Sequence, residues 1–252
     1  ARVHSPARCS DPTRAVSSPV ETIPLARLAL VFIPVLVVVL IQWRWAMPVL
    51  PAIHGLARML AQLLLVGYVL VFLFESNSPL IVSLVLAIMI GVASWIALRP
   101  VAKQRRGHYP AALGAIVVGA VPTLMLVTQI VINVDPWYQP SFLIPLAGMI
   151  FANAMNSVSI AAERQQAELD NGRNQQVARQ RAFQAALIPL VNSLMAVGLV
   201  SLPGMMTGQV LAGVSPLIAA RYQILVMCML FGSSGIATAC YLYWSRPAKS
   251  SG

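Results

Sequence analysis

This sequence contains few charged residues. Only 10% of its 252 residues are charged, whereas a soluble domain usually has about 25%. An ordinary soluble domain is excluded, because 58% of the residues are hydrophobic and they lie in long apolar runs. The mean hydropathy of +0.78 agrees with this interpretation. The sequence therefore predicts an all-α polytopic membrane helix bundle.

Cysteine is also scarce, with three residues in the chain. Cys9 lies in a polar N-terminal segment. Cys228 and Cys240 share one predicted helix, where their separation of roughly 18 Å is too large for a disulfide. No disulfide framework is predicted.

Several catalytic motifs are missing. Lys103 and Lys249 are the only lysines, and no G-x-x-x-x-G-K-[ST] loop for ATP occurs. Residues 232–235 match the G-x-S-G pattern of intramembrane serine proteases, but no predicted span supplies the His or Lys that would serve as base. We predict no enzyme activity and no cofactor bound by this chain.

Strong metal ligands are absent from the apolar segments. No Asp, Glu or His lies deep in a predicted span, since His4, His54 and His108 are in tails, loops or helix ends. Methionine thioethers suit soft metals and amide oxygens suit harder ions, but methionine is also ordinary apolar packing. A metal site stays unknown at this stage.

Seven apolar segments approach the roughly 20 residues that cross a bilayer. Gln42–Trp45 resembles an interfacial aromatic and basic anchor, which favours a retained first helix over a signal peptide. Ser215 and Pro216 predict the start of the last helix. The predicted spans are Leu25–Trp43, Leu56–Phe74, Pro79–Leu98, Ala111–Val134, Phe142–Ala162, Leu187 to about Ala212, and Leu217–Trp244.

The predicted domain organisation is one transmembrane domain, residues 25–244. Residues 1–24 are predicted to form a disordered polar tail, with part of a targeting peptide as the alternative. Residues 245–252 are predicted to form a short basic tail.

The basic residues are distributed unevenly. With seven spans, twelve of the 17 Lys and Arg residues fall on one side and five on the other. The positive-inside rule then predicts a cytoplasmic C-terminus. A nucleic-acid partner is not predicted, because the basic residues lie between apolar runs and are not interleaved with aromatics. We expect an integral protein of a bacterial inner membrane, surrounded by lipid.

The fifth span carries a polar stripe. Met149, Asn153, Asn156, Ser159 and Glu163 recur at steps of three and four residues and so share one helix face. Amides exposed to lipid are costly, so the stripe is expected to face protein or a watery path. Interhelical hydrogen bonding and a substrate path both stay open. The candidate path residues on the fifth and sixth spans are Met149, Asn153, Asn156, Asn192, Met195, Met205 and Met206.

Two further features concern helix geometry. Pro203-Gly204 predicts a break in the sixth span, either inside the bilayer, as in the discontinuous helices of transporters, or where the chain leaves it. Small residues four apart permit close helix contacts. These pairs are Ala87/Gly91, Ala115/Gly119 and Gly235/Ala239.

Three stretches carry a family resemblance: Asp135–Ala161 (DPWYQPSFLIPLAGMIFANAMNSVSIA), Ala185–Ile224, which contains LVSLPGMMTGQVLAGVSP, and Ala57–Gly67 (ARMLAQLLLVG). They resemble the iron-export ABC-transporter permeases of the FetB-like family. The resemblance implies a permease that pairs with a separate ATPase, with two copies of each subunit and ATP bound by the partner. Bacterial relatives are linked to iron efflux, and plant relatives to aluminium tolerance and UDP-glucose movement.

The mixed-charge segment Glu163–Ala186 is the expected site of coupling to that ATPase. It is shorter than in the family pattern and lacks an E-A-x-x-L-G-A-like patch. Asn171-Gly172 predicts a turn, and residues 175–186 predict a polar helix. The candidate coupling residues are Glu163, Arg164, Glu168, Arg173, Arg179 and Arg181.

These features predict an ABC permease subunit that exports iron or a similar metal. Two alternatives remain: a sugar-nucleotide or other organic-solute exporter of the same fold, and a membrane scaffold that does not transport.

Overall fold

A computed structural model describes residues 24–75 and 78–245, in which nine α-helices form. The predicted N-terminal tail, except Pro24, and the predicted C-terminal tail, except Ser245, lie outside the described residues. The helices are α1 (Leu25–Leu30), α2 (Phe32–Arg44), α3 (Leu50–Glu75), α4 (Pro79–Ala97), α5 (Arg105–Met125), α6 (Pro140–Asp170), α7 (Gln175–Ala196), α8 (Gly204–Leu211) and α9 (Pro216–Trp244).

Six helical segments of the described chain are long and apolar enough to cross a membrane. The predicted all-α polytopic bundle is therefore confirmed, and the predicted number of seven spans is approximate. Pro79, Pro140 and Pro216 each stand in the first turn of a helix, where the missing N–H costs no hydrogen bond. The six segments are Ala26–Arg44, Leu50–Leu70, Pro79–Ala97, Ala102–Val131, Pro140–Asp170 and Pro216–Trp244.

The segment predicted as the sixth span is not one helix. α7 ends at Ala196, and a bridge between Val197 and Ser201 closes the turn that separates it from α8. Gly198 in this turn has a φ of +84°, which favours glycine. The sequence predicted the break at Pro203-Gly204. In the structure the break begins earlier, because the turn that contains Gly198 ends α7 at Ala196.

The charged segment Glu163–Ala186 is mostly helical. α6 continues to Asp170 and α7 begins at Gln175, so the predicted turn and the predicted polar helix are both confirmed. Gly172 has a φ of +73° in this turn. The side chain of Asn174 accepts a hydrogen bond of 2.9 Å from the Val177 N–H and so caps α7. We refer to residues 163–186 as the α6–α7 hairpin.

The chain divides into two compact units, Ala1–Gly67 and Tyr68–Gly252. The first contains α1, α2 and most of α3. No residue in the most apolar window of its candidate spans is buried. Its side chains therefore present the kind of apolar surface that lipid covers.

The second unit contains the end of α3 and helices α4–α9, with its core between α5, α6 and α9. α5 and α9 are in close contact at Gly119. A Cβ atom there would lie 2.6 Å from the Ser233 carbonyl oxygen and 2.7 Å from the Ala237 nitrogen. Gly119 of the predicted pair Ala115/Gly119 therefore makes a close contact. Its neighbours on α9 are Ser233 and Ala237. The predicted Gly235/Ala239 pair does not make this contact, and Ala239 is exposed.

Candidate functional site

Most of the charged residues of the second unit lie at one end of its helices. Eight of its nine described Lys and Arg residues lie on the α4–α5 connection, at the start of α5 or on the α6–α7 hairpin; the ninth, Arg221, is near the start of α9. Two contacts tie these elements to the end of α9. His108 Nδ1 lies 3.0 Å from Tyr241 Oη, and Ser245 Oγ donates to Gln165 Oε1 at 2.9 Å. Basic segments that are far apart in the sequence therefore lie together at one end of the second unit, which we call its charged end.

Glu168 ties the two helices of the hairpin together. Its side chain is 5% exposed and lies 2.6 Å from Arg164 on α6 and 2.9 Å from Arg181 on α7. Each arginine takes a different carboxylate oxygen, so neither oxygen is buried without a partner. The Arg181 contact is also a charge-assisted hydrogen bond, a kind that is roughly twice as strong as a neutral one. The hairpin is therefore held in one arrangement close to its turn.

We expect Glu168→Gln to lower the free energy of unfolding by about 1–3 kcal/mol, because the buried negative charge is lost and one of its two acceptor oxygens becomes an NH2 donor that faces an arginine. Denaturant titration in mixed micelles measures the change. Asp170→Asn is the matched control, since Asp170 is exposed and accepts only from Gln166 at 2.7 Å. Equal losses in the two variants would show that the Glu168 pairs do not hold the hairpin.

The other candidate coupling residues differ in their surroundings. Arg179 donates to the Tyr243 carbonyl oxygen at 3.3 Å, and its guanidinium lies 5.8 Å from the centre of the Tyr243 ring. Glu163 and Arg173 are exposed, and neither side chain has a hydrogen bond or an ion pair within the described chain. These two side chains are therefore the ones available to a partner.

The polar stripe of α6 reaches the surface of the chain. Asn153 is half-buried, and its Nδ2 donates to the Met149 carbonyl oxygen of its own helix at 2.9 Å. Asn156 is exposed, as is Asn192 on α7. Among the described residues, no hydrogen bond joins any of these three amides to another helix. The amides therefore form no hydrogen bond between α6 and α7 within the described chain.

Two cavities adjoin the stripe. One, of about 590 Å³, lies between α6, α8 and α9 and brings together Met149, Met205 and Gln209. The other, of about 250 Å³, lies beside the break after α7 and contains Asn153, Ser193 and Ser201. The candidate residues Met149 and Met205 thus share the larger cavity, although they are far apart in the sequence. Asn153 lines the smaller cavity.

The remaining candidate path residues lie elsewhere. Met206 lines a third cavity of about 330 Å³, and Met195 is 74% exposed. Sequence reasoning missed Gln209 and Gln223, whose amide oxygens are buried without hydrogen-bond partners at these cavities. A single glutamine in an apolar helix has no periodic signal, so only packing reveals it. No cluster of His, Cys, Asp or Glu that could hold a metal ion occurs in the described residues.

Comparisons with known proteins find relatives along most of the chain. The probable iron export permease protein FetB of Escherichia coli is 35% identical over 214 residues, covering 76% of this chain and 79% of the relative. Protein ALUMINUM SENSITIVE 3 of Arabidopsis thaliana is 33% identical over 211 residues, covering 76% and 75%. A UPF0014 membrane protein of Synechocystis is 38% identical over 219 residues, covering 80% and 83%. No solved structure gives a significant match.

The family model described as Uncharacterised protein family (UPF0014) matches residues 25–248, which include all nine helices. This match and the permease relative confirm the resemblance predicted from the sequence, and the apolar helices make the chain an integral membrane protein. The chain therefore belongs to the UPF0014 family of membrane proteins.

Proposed function

We propose that this chain is the permease subunit of an ABC exporter of iron or a similar metal, powered by ATP bound to a separate ATPase subunit. The observation that carries the proposal is the α6–α7 hairpin. It continues α6 beyond its apolar part, is tied by Glu168, and leaves Glu163 and Arg173 free for a partner. A charged helical hairpin held in one arrangement suits docking of a soluble subunit. The relative named as a probable iron export permease supports the cargo.

The transport path runs between two copies of the chain. Asn156 and Asn192 are exposed on the protomer, and amides that face lipid are costly, so a second copy would cover them. Amide and thioether groups hold a metal ion weakly. Weak binding suits a path, because the cargo has to leave as well as enter.

Iron efflux from proteoliposomes tests this function. The full chain is reconstituted with its ATPase, and ATP-dependent movement of Fe(II) is compared with movement of UDP-glucose. Fe(II) movement supports the proposal, whereas UDP-glucose movement alone would support an organic-solute exporter. If no ATPase copurifies with the chain, the scaffold interpretation replaces both.

In this arrangement the charged end of the second unit lies on the cytoplasmic side of a bacterial inner membrane. With the native cysteines replaced, we expect a cysteine at Asp135 to react with an impermeant maleimide in sealed cells and a cysteine at Gly172 to react only after lysis. Asp135 and Gly172 are both exposed, and they lie beyond opposite ends of α6 in the second unit. Equal labelling in sealed cells would contradict this orientation.

We expect Arg173→Glu to weaken association with the ATPase more than Arg179→Glu does. Arg173 is free on the surface of the turn, whereas Arg179 contacts Tyr243 of its own chain. Copurification measures the association, and thermal stability of each variant separates lost docking from misfolding. Equal and negligible effects on association would exclude the turn of the hairpin as the docking site.

A further inference from the structure

An open cavity of about 890 Å³ lies at the charged end of the second unit. The α4–α5 connection, the start of α5 and the end of α9 enclose it. None of the candidate path or coupling residues lines it. Lys103, Arg106 and His108 supply its basic groups, and Ala111, Gly114 and Trp244 supply apolar surface.

The positive charge of this cavity is not neutralised by the chain. Lys103 and Arg106 are exposed, and both ion pairs of the described residues involve Glu168 on the hairpin. The neighbouring Arg105 stacks on Trp95, with its guanidinium 4.6 Å from the ring centre, and does not line the cavity. Two free cations therefore stand at the opening, where an anion would be attracted.

The apolar side of the cavity adjoins the membrane-spanning part of α5. Residues 102–131 form one candidate span, so the cavity lies where that span begins. Gly114 allows the Trp244 ring to pack against α5, since a Cβ atom there would lie 3.3 Å from it. Tryptophan near a span end is typical of the membrane–water interface. The cavity thus combines a cationic opening with an apolar floor at interfacial depth.

We infer that this cavity binds an anionic phospholipid, with its phosphate at Lys103 and Arg106 and the start of its acyl chains on the floor formed by Ala111 and Trp244. Basic pockets between membrane helices bind such headgroups. An acidic protein surface would use the cations but not the apolar floor. The inference does not depend on the cargo or on the proposed ATPase.

The purified full chain in neutral detergent provides the test. Phosphatidylglycerol is titrated, and the midpoint of thermal unfolding is recorded against phosphatidylcholine and against inorganic phosphate. We expect phosphatidylglycerol alone to raise the midpoint. The double variant Lys103→Gln with Arg106→Gln is expected to need about thirtyfold more of this lipid for the same rise. Arg221→Gln removes one positive charge at the opposite end of the unit and is expected to respond as the unchanged chain does.

Three results would overturn the inference. The double variant responding like the unchanged chain would show that the two cations do not bind the headgroup. An equal response to inorganic phosphate would assign the site to free phosphate. If the double variant keeps the lipid response of the unchanged chain but no longer associates with the ATPase, the two cations would be assigned to protein docking. If the double variant does not fold in phosphatidylcholine, Lys103→Gln alone is titrated with the same criteria.

Discussion

Gly119→Ala is expected to lower the free energy of unfolding by about 1–3 kcal/mol, the usual cost of overpacking a tightly packed contact. The added methyl group would lie within 2.8 Å of three atoms of α9, two of them backbone atoms of Ser233 and Ala237. Backbone atoms cannot rotate away as a side chain can. α5 and α9 would therefore have to separate along the core of the second unit.

Gly148→Ala on α6 is the matched control for this substitution. The nearest atom to a Cβ at Gly148 is the terminal methyl of Met89 at 3.6 Å, an ordinary contact. Because alanine favours a helix over glycine by roughly 0.5–1 kcal/mol, the control is expected to be neutral or slightly stabilising. Denaturant titration of both variants in mixed micelles gives the comparison. A similar stability change in both would show that the α5–α9 approach is not critical.

Asn156→Leu is expected to reduce metal flux severalfold while the folded protomer keeps its stability. Asn156 is exposed and has no hydrogen bond within the described chain, so the substitution removes no contact of the protomer. Leucine keeps a similar volume but removes the amide from the proposed path between two copies. Flux in proteoliposomes and thermal stability are measured on the same purified variant.

Gln129→Leu is the control for this loss of an amide. Gln129 is also exposed, but it lies on the π-helical turn after α5, at Leu126–Val131, and donates only to Thr128 at 3.3 Å. We expect its flux to be unchanged. The path proposal fails if Asn156→Leu keeps normal flux. A loss of roughly 0.6–2 kcal/mol of stability with normal flux would assign the amide to hydrogen bonding between protomers.

Local sequence patterns predicted the bounds of a helix well where a long apolar run follows a Ser-Pro pair. α4 and α9 begin and end within one residue of the predicted bounds, because long apolar runs follow Ser78-Pro79 and Ser215-Pro216. The turn at Asn171-Gly172 was also predictable, since glycine readily adopts a positive φ. The bounds of α7 and α8 were not predicted, because the turn at Gly198, with its positive φ, ends α7 before Pro203.

The sequence alone determined that this chain is a helical membrane protein with its basic residues concentrated between particular spans, since hydropathy and charge act along the chain. Only the tertiary structure decided which side chains meet. It buried Glu168 between Arg164 and Arg181, placed Met149 with Met205, and set Gly119 against Ser233 and Ala237. These contacts depend on how separate helices pack, and helical periodicity specifies the face of a residue but not the neighbour which that face meets.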